Sequence, residues 1–581
     1  MTLGKHFIND VGAVVERGLR SHLTNDGRLR LIESEKVLYL QPSSSNEKVH
    51  LISGGGSGHE PAHAGYVGDG MLDICVAGNV FASPSAPQIL AGLRSCPSKK
   101  GTLMIVKNYT GDKLNFGLAA EKAKAGGQKV NVIVVGDDVA VEGNTLVGRR
   151  GLAGVTFVHK IAGAAAAEGK SLEEVTKIAQ RVADSLVTAA VSLDRCSVPS
   201  RIEQSSLPQT ELEFGMGIHN EPGVKRTAIP QLQETINALL DMLLKKKNFW
   251  TPESGSRVSA MVNNLGGLSV LELSVVSEEA MKQLAERGLV IRRIFTGPFV
   301  TSLDAPGFSI TLLGVDDELE RLLDAPTSAP AWPKKSGVPS DLKTQVVECH
   351  TLGHDEISQN GGPESVSDIR LTFAVSSTVA TEIIESIATS VKRDEPTITR
   401  YDTIAGDGDC GETLLAGADS LKSSILPLRD EGVSLSVLFQ KIAAAVETSM
   451  GGTSGAIYAI FLNAVSNAVA SSSTSPAATL PQALRAGLDE LCKYTAARKG
   501  HRTLMDALIP FVDTLEQTTD FNHACDAAQS GAESTKNLDA LLGRASYVDK
   551  GVFEKEGGIP DPGALGVVSV LRGIQKGLKN G

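Results

Sequence analysis

The sequence predicts a two-part chain, an α/β region followed by an all-helical one, and three observations carry that expectation. At 581 residues the chain exceeds what one hydrophobic core can serve, so two or more domains are expected. Short β-branched runs alternate with alanine-rich helical stretches from roughly residue 48 to residue 320, and then the strand signals stop. Between about Asp324 and Ser365 the composition shifts to Pro, Ser, Gly and Asn with no periodic apolar face, which is linker chemistry.

Val49–Ser53, Met104–Lys107 and Val130–Val135 read as strands, each ending in a polar or glycine-rich loop, with Leu114–Ala125 as a helix among them. Strands alternating with helices imply a mostly parallel sheet whose ligands sit beyond the carboxyl ends of the strands. Val258–Val262, Val290–Phe295 and Ser309–Leu313 form a second set, so two α/β halves are expected, joined near residues 190–230. Past the linker, Ile369–Ser390, Leu435–Ser449, Ala477–Lys493 and Asp561–Leu578 carry apolar residues at helical spacing. The expected organisation is therefore a two-lobed α/β domain over 1–335, a flexible linker over 336–368 and an all-α domain over 369–581.

Hydrophobic residues make up 41% of the chain and charged residues 21%, an ordinary globular balance. The net charge of -11 argues against nucleic acid or an anionic membrane as the main partner. It does not argue against ATP, whose phosphates are held by local amides and metal ions. The seven cysteines are scattered and form no CxxC pair, which points to a reducing compartment without a disulfide framework or a zinc site. Met1–Asp10 lacks the apolar core of a signal peptide, and no apolar run is expected to approach the ~18 residues of a membrane span, so a cytoplasmic protein is expected.

Chemistry concentrates in a few loops. Leu51-Ile-Ser-Gly-Gly-Gly-Ser-Gly-His-Glu-Pro61 reads as a glycine-rich strand-to-helix turn, but it is neither a Walker loop nor GxGxxG. A tight turn in which His59 caps a helix is the plain alternative. Lys107-Asn-Tyr-Thr-Gly-Asp112 places a lysine and a carboxylate at the same expected sheet edge. A histidine, a lysine and an aspartate among glycine amides suit binding and proton transfer on a polyhydroxylated substrate. Gly215-Met-Gly-Ile-His-Asn-Glu-Pro-Gly223 exposes His219 at a loop tip. Neutral imidazole is a nucleophile toward a carbonyl when its other nitrogen is hydrogen-bonded, although a lone loop histidine is more often structural.

In the helical part, Tyr401-Asp-Thr-Ile-Ala-Gly-Asp-Gly-Asp-Cys-Gly411 packs Asp402, Asp407 and Asp409 into eight residues, a donor set for Mg²⁺. The spacing is not that of an EF-hand, and a solvated acidic turn is the alternative. Ser449-Met-Gly-Gly-Thr-Ser-Gly-Ala456 leads into a helix as an anion nest, and Gly500-His-Arg-Thr-Leu-Met-Asp506 and Asp561-Pro-Gly563 stand at further helix starts. Together these segments suggest a Mg-nucleotide site.

These motifs, with Asn263-Asn-Leu-Gly-Gly267 and Gly543-Arg-Ala-Ser-Tyr547, occur in an order that closely resembles the ATP-dependent dihydroxyacetone kinase family over essentially the whole chain outside the linker. The resemblance implies an N-terminal substrate domain of two α/β halves and a C-terminal antiparallel helical barrel that binds ATP. It implies that Gly56, Ser57, Gly58, His59, Lys107 and Asp112 contact dihydroxyacetone, and that His219 forms a covalent hemiaminal with its carbonyl carbon. Asp112 would accept the proton of the attacking hydroxyl with His59 assisting. Asp402, Asp407 and Asp409 would hold two Mg²⁺ ions, and Cys410, Gly411, Glu412, Thr413, Thr453, Ser454, Thr495, Thr503, Leu504, Asp561, Pro562 and Gly563 would line the nucleotide. His501 and Glu412 depart from the residues expected in relatives. The resemblance further implies a homodimer and leaves glyceraldehyde and FAD open as further substrates. A relay that keeps ADP as a carrier and a non-catalytic regulator that retains the pocket are the rival readings. A very small ketone gains limited non-covalent affinity even at about -1.5 kcal/mol per heavy atom, so a reversible covalent bond would add affinity and select against glycerol.

Overall fold

A computed structural model describes residues 6–8, 10–41, 47–140, 148–199, 206–245, 250–334, 374–426, 433–471, 476–542, 544–548 and 550–580. The expected linker at 336–368 and Gly543 of the last motif lie outside the described residues. The chain divides into two compact units, Met1–Cys349 and His350–Gly581.

The first unit holds two six-stranded sheets. One is built from β1 (Leu29–Ile32), β2 (Val37–Leu40), β3 (His50–Ser57), β4 (Ile74–Val80), β5 (Thr102–Lys107) and β6 (Val130–Val135), in the order β1-β2-β4-β3-β5-β6. Its central pairings β4–β3, β3–β5 and β5–β6 are parallel. Every residue of β5 is buried, because helices cover both faces of the sheet. Ala86–Ser95 and Thr110–Ala125 pack on one face around Ile52, Val76, Val106 and Phe116. Val155–Ala167 and Leu172–Asp184 cover the other around Leu51, Leu103 and Ile105.

The second sheet comprises β7 (Leu186–Ser192), β8 (Glu211–Phe214), β9 (Lys225–Ala228), β10 (Arg257–Asn264), β11 (Val290–Gly297) and β12 (Gly307–Gly314), in the order β11-β10-β12-β7-β8-β9. It corrects two expectations. Only β10–β11 is parallel, so this sheet is mostly antiparallel. The halves also join ahead of Leu186, since residues 190–230 themselves supply strands. β8 and β9 carry Glu211, Glu213, Lys225 and Arg226 in four-residue strands and so show no apolar run. A third correction concerns the glycine-rich loop. Gly54–Gly56 lie inside β3, and only a short 3₁₀ turn at Ala64–Tyr66 follows, so His59 caps no helix.

In the second unit, eight long helices among the described residues form a closed ring: Ser377–Ala405, Cys410–Ile425, Leu435–Ser449, Gly452–Ala470, Pro476–Tyr494, Met505–Thr518, Phe521–Ser534 and Pro562–Asn580. Each packs on the next, and the last returns to the first. A two-residue pairing, Ala374–Val375 with Val433–Ser434, adds a strand contact where none was expected. Gly452–Ala470 is also long and apolar enough, by length and composition, to cross a membrane, with a mean hydropathy of 1.2. That differs from the expectation of no such run. Here it packs as a ring member against its two neighbours, with Phe461, Val465 and Val469 in the core.

The ring closes where two glycines let backbones meet. A Cβ on Gly573 would lie 2.6 Å from Cα of Ile387, and one on Gly577 would lie 2.5 Å from Cα of Ile383. Gly573→Ala or Gly577→Ala should therefore force the first and last helices apart and destabilise the helical unit by about 1–3 kcal/mol, the usual cost of overpacking. Thermal melting should show a lowered transition for this unit; an unchanged melt would mean that the seam yields freely.

Candidate functional site

The first unit gathers its chemistry where the two sheets meet. His59 follows the end of β3, and its ring is clamped by a loop of the other half. Its Nδ1 bonds the Thr301 carbonyl at 2.8 Å, Leu303 N–H donates to the Gly58 carbonyl, and Thr301 Oγ1 donates to the Glu60 carbonyl. Phe81 stacks on the ring at 5.2 Å. His219 comes from the connection between β8 and β9, where its Nδ1 lies 3.0 Å from Oε1 of Glu221 and its backbone N–H donates to Oε2 of the same carboxylate. The two histidines meet Nε2 to Nε2 at 3.0 Å.

The neighbours of this contact constrain where its hydrogens lie. A carbonyl and a carboxylate can only accept, so both Nδ1 atoms carry hydrogen. The two Nε2 atoms then oppose lone pairs across the contact, which a proton or a donor placed between them would relieve. Burial first, and then the nearby charges of Lys107 and His219, hold the His59 imidazole well below its ordinary value. Burial alone would raise the Glu221 carboxyl, but the His219 hydrogen bonds and charge outweigh it and hold the group at about 2. Glu221 is thus a fixed anion beside the pair.

Lys107 ends β5 and Asp112 sits in the first turn of helix Thr110–Ala125, both almost wholly buried. Burial drives the Lys107 ammonium down despite its acidic neighbours, and the Asp112 carboxyl up despite Lys107 and Ser83. Both shifts favour the neutral forms, which makes Asp112 a better proton acceptor than an exposed aspartate. Of the other nominated residues, Ser57 gives its hydroxyl to the Gly78 carbonyl. Gly58, at φ +101°, has no room for a side chain against Phe81. Sequence reasoning did not single out Thr301, Phe81, Glu221 or Tyr109, whose ring stands edge-on to that of His219 at 4.7 Å. Glu221 could have been found two residues past His219, whereas Thr301 is distant in sequence and gave no signal.

In the helical unit, Asp402, Asp407 and Asp409 each offer an oxygen, and the three oxygens lie within 4.8 Å of one another. Asp402 is buried at the end of its helix, and its Oδ2 accepts from Gly408 and Cys410 N–H at 3.0 Å, which curls the loop back. Gly408 permits the curl by adopting φ +83°. A compact, all-oxygen trio with two exposed members fits Mg²⁺, which takes a few carboxylates and keeps water and phosphate as its other ligands.

Cys410, Ser454, Leu504 and Gly563 line one narrow pocket with Leu414, Met450, Tyr458 and Gly566. Gly411, Glu412, Thr413, Thr453, Thr495, Thr503, Asp561 and Pro562 are not in its lining. Gly411 instead faces the first helix, where a Cβ would lie 2.7 Å from the Glu395 carbonyl, and Glu412 is exposed. The loop at 500–504 is shaped by buried Asp506, which accepts from Gly500 and Thr503 N–H. Beside it, buried Arg502 lies over Phe553 at 3.8 Å and donates to the carbonyls of Thr535 and Ile559.

Comparison with known proteins accounts for both units. Residues 21–331 match the Dak1 domain and residues 404–576 the DAK2 domain. The chain is 43% identical to dihydroxyacetone kinase 2 of Saccharomyces cerevisiae, over 98% of each chain. It is 37% identical to the human triokinase/FMN cyclase, over 99% of this chain and 100% of that one. Among solved structures it resembles the dihydroxyacetone kinase of C. freundii in complex with AMP-PNP and Mg²⁺, at TM-score 0.65 and 31% identity, covering 99% of this chain and 100% of that one.

Asp561 supplies a test of the helical site's electrostatics. Burial, reinforced by Asp506 and Asp402, pushes its carboxyl from 3.8 up to about 7 against the Ala564 hydrogen bond and Arg502. The folded state therefore binds this proton more tightly than the unfolded chain, and stability falls as pH rises from about 4 to about 7. Asp561→Asn keeps an acceptor for Ala564 N–H, so without nucleotide or metal it should raise the melting transition of this unit above pH 7 and flatten that slope. A variant that melts lower at pH 8 would contradict the assignment.

Proposed function

The chain belongs to the dihydroxyacetone kinase family, and from that premise we propose how its residues share the work. It is an ATP-dependent phosphotransferase with an alcohol acceptor, converting dihydroxyacetone to its phosphate. The reading extends to glyceraldehyde, in keeping with the triokinase relatives.

The observation that supports the capture step best is the His59–His219 pair with Glu221 behind it. Nε2 of His219 adds to the carbonyl carbon while the carbon–oxygen π bond opens toward oxygen. In this reading one proton bridges the two imidazoles as the ketone is bound, and it moves through Nε2 of His59 onto that oxygen, giving the hemiaminal hydroxyl. Charge is conserved: the positive charge that belonged to the pair remains on the His219 ring, facing the Glu221 carboxylate. Glycerol has no carbonyl and cannot be held in this way. Asp112, with its carboxyl raised by burial, accepts the proton of the substrate hydroxyl as it attacks the γ-phosphorus, and Lys107 holds the oxygens beside it.

In this reading Asp402, Asp407 and Asp409 hold two Mg²⁺ ions, whose chemistry is to offset charge on the transferring phosphoryl group. Ser454, Leu504 and Gly563 contact the nucleotide at the pocket they share with Cys410, and Thr453 offers a hydroxyl and amide in the first turn of helix Gly452–Ala470. The enzyme is read as a cytoplasmic homodimer, in which one chain's helical unit serves the ketone site of its partner. The free state of all six described cysteines suits a reducing compartment.

His219→Ala should lose at least a hundredfold in dihydroxyacetone affinity while ATP still binds, and intact-mass analysis of the wild type should find a ketone adduct that the variant lacks. A wild type that holds the ketone without mass gain would end the covalent step.

Asp407→Asn should keep its melting temperature and lower kcat by roughly a hundredfold or more, the scale of removing one charge-stabilising group. Mixed with His219→Ala, it should regain activity in verified heterodimers; inactive heterodimers would assign catalysis to a single chain.

A further inference from the structure

Beside the ketone site stands a third imidazole, 4% exposed, to which the function above gives no task. Nδ1 of His63 lies 3.3 Å from Oγ of Ser53, and Ser53 donates its single hydroxyl hydrogen to the Ile105 carbonyl at 2.7 Å. Ser53 can then only accept from His63. The imidazole hydrogen is therefore on Nδ1, and Nε2 is a bare lone pair. Burial first, and then the Lys107 charge, keep the ring neutral by holding it well below its ordinary value. His159 packs edge-on against it at 5.1 Å. Nε2 is buried and has no hydrogen-bond partner, Lys107 included.

Gly55 shows what lies near that lone pair. A methyl group placed on Gly55 would meet Oδ2 of Asp112 at 3.6 Å, Cε of Lys107 at 3.7 Å and Nε2 of His63 at 3.8 Å. The three groups border one spot, and two of them are assigned to the substrate above. A buried acceptor left unpaired costs about 1–3 kcal/mol, so this one marks the absence of a donor.

We propose that Nε2 of His63 accepts a hydroxyl hydrogen of the bound ketone, making His63 a substrate-binding residue that selects for two hydroxyl groups. The inference rests on the reading that this pocket takes dihydroxyacetone. Asp112 and His63 are two acceptors, and a ketone flanked by two hydroxyls satisfies both. Hydroxyacetone has the same carbonyl and one hydroxyl, so it leaves one acceptor bare and is discriminated against.

The test compares kcat/KM for dihydroxyacetone and hydroxyacetone, with saturating Mg-ATP, in the full chain and in His63→Asn, His63→Gln and His63→Phe. Asparagine reproduces the Nδ1 position, glutamine the Nε2 position and phenylalanine neither. The wild type should prefer dihydroxyacetone. His63→Asn and His63→Phe should narrow that preference at least tenfold, and His63→Gln should hold it within about threefold. A purely structural role would lower both substrates together, so an unchanged ratio in folded Asn and Phe variants overturns the proposal. Should those variants fail to fold, Gly55→Ala decides. Its methyl makes only ordinary contacts, so it should melt like the wild type and bind ATP, yet raise KM for dihydroxyacetone at least tenfold; an unchanged KM overturns the proposal. A wild type inert toward dihydroxyacetone would instead strike at the function on which the inference rests.

Discussion

The 3.0 Å contact between the Nε2 atoms of His59 and His219 is the constraint on which the first unit depends. One ring is delivered by the first sheet and the other by the second, so the pair exists only when the two sheets dock in register. The docking is enforced from behind. Thr301 and Leu303 hold the His59 segment through backbone and hydroxyl bonds, while Ser302 Oγ donates to the Ile218 carbonyl at 2.7 Å and steadies the His219 loop. One short segment thus grips both histidines and fixes how they meet.

The two units handle charge in opposite ways. In the first, a lysine, an aspartate and several histidines are taken out of water and pushed toward their neutral forms. In the second, two of three clustered carboxylates stay exposed and only Asp402 is drawn in, to organise the loop. The contrast suits their proposed partners. A small neutral ketone is gripped by desolvated groups whose protons can be moved, whereas a phosphate chain needs a place where a cation can be kept.

Much of this was legible in the chain, and the gaps have physical causes. β3, β5 and β6 announced themselves because both faces are buried and their runs are apolar. β8 and β9 did not, because short strands rich in charge carry no periodicity. Lys107 and Asp112 could be assigned to one edge because a strand end and the following helix start must be close. The clamp by Thr301 could not, since a carbonyl acceptor is the same in every residue. Ser57 is nominated for the substrate through the family resemblance, and that its hydroxyl donates to the Gly78 carbonyl is a fact no motif records. The state of His63 was illegible for a similar reason: it follows from which atom Ser53 gives its hydrogen to, and no motif records that.

The glycine seam between Ser377–Ala405 and Pro562–Asn580 has a consequence for how the helical unit comes into being. Its closing partners are separated by most of the unit's sequence, so the ring cannot be completed by zipping neighbour to neighbour. Seven helix-to-helix contacts can form in order along the chain, but the eighth must wait for a long loop to find its end. Until then the ring stays open and its core edge is exposed. The acid trio sits at the turn between the first helix and the second, while Asp561–Gly563 stand at the start of the last helix, so the proposed nucleotide site straddles this late seam. An unfinished barrel would therefore lack the proposed nucleotide site.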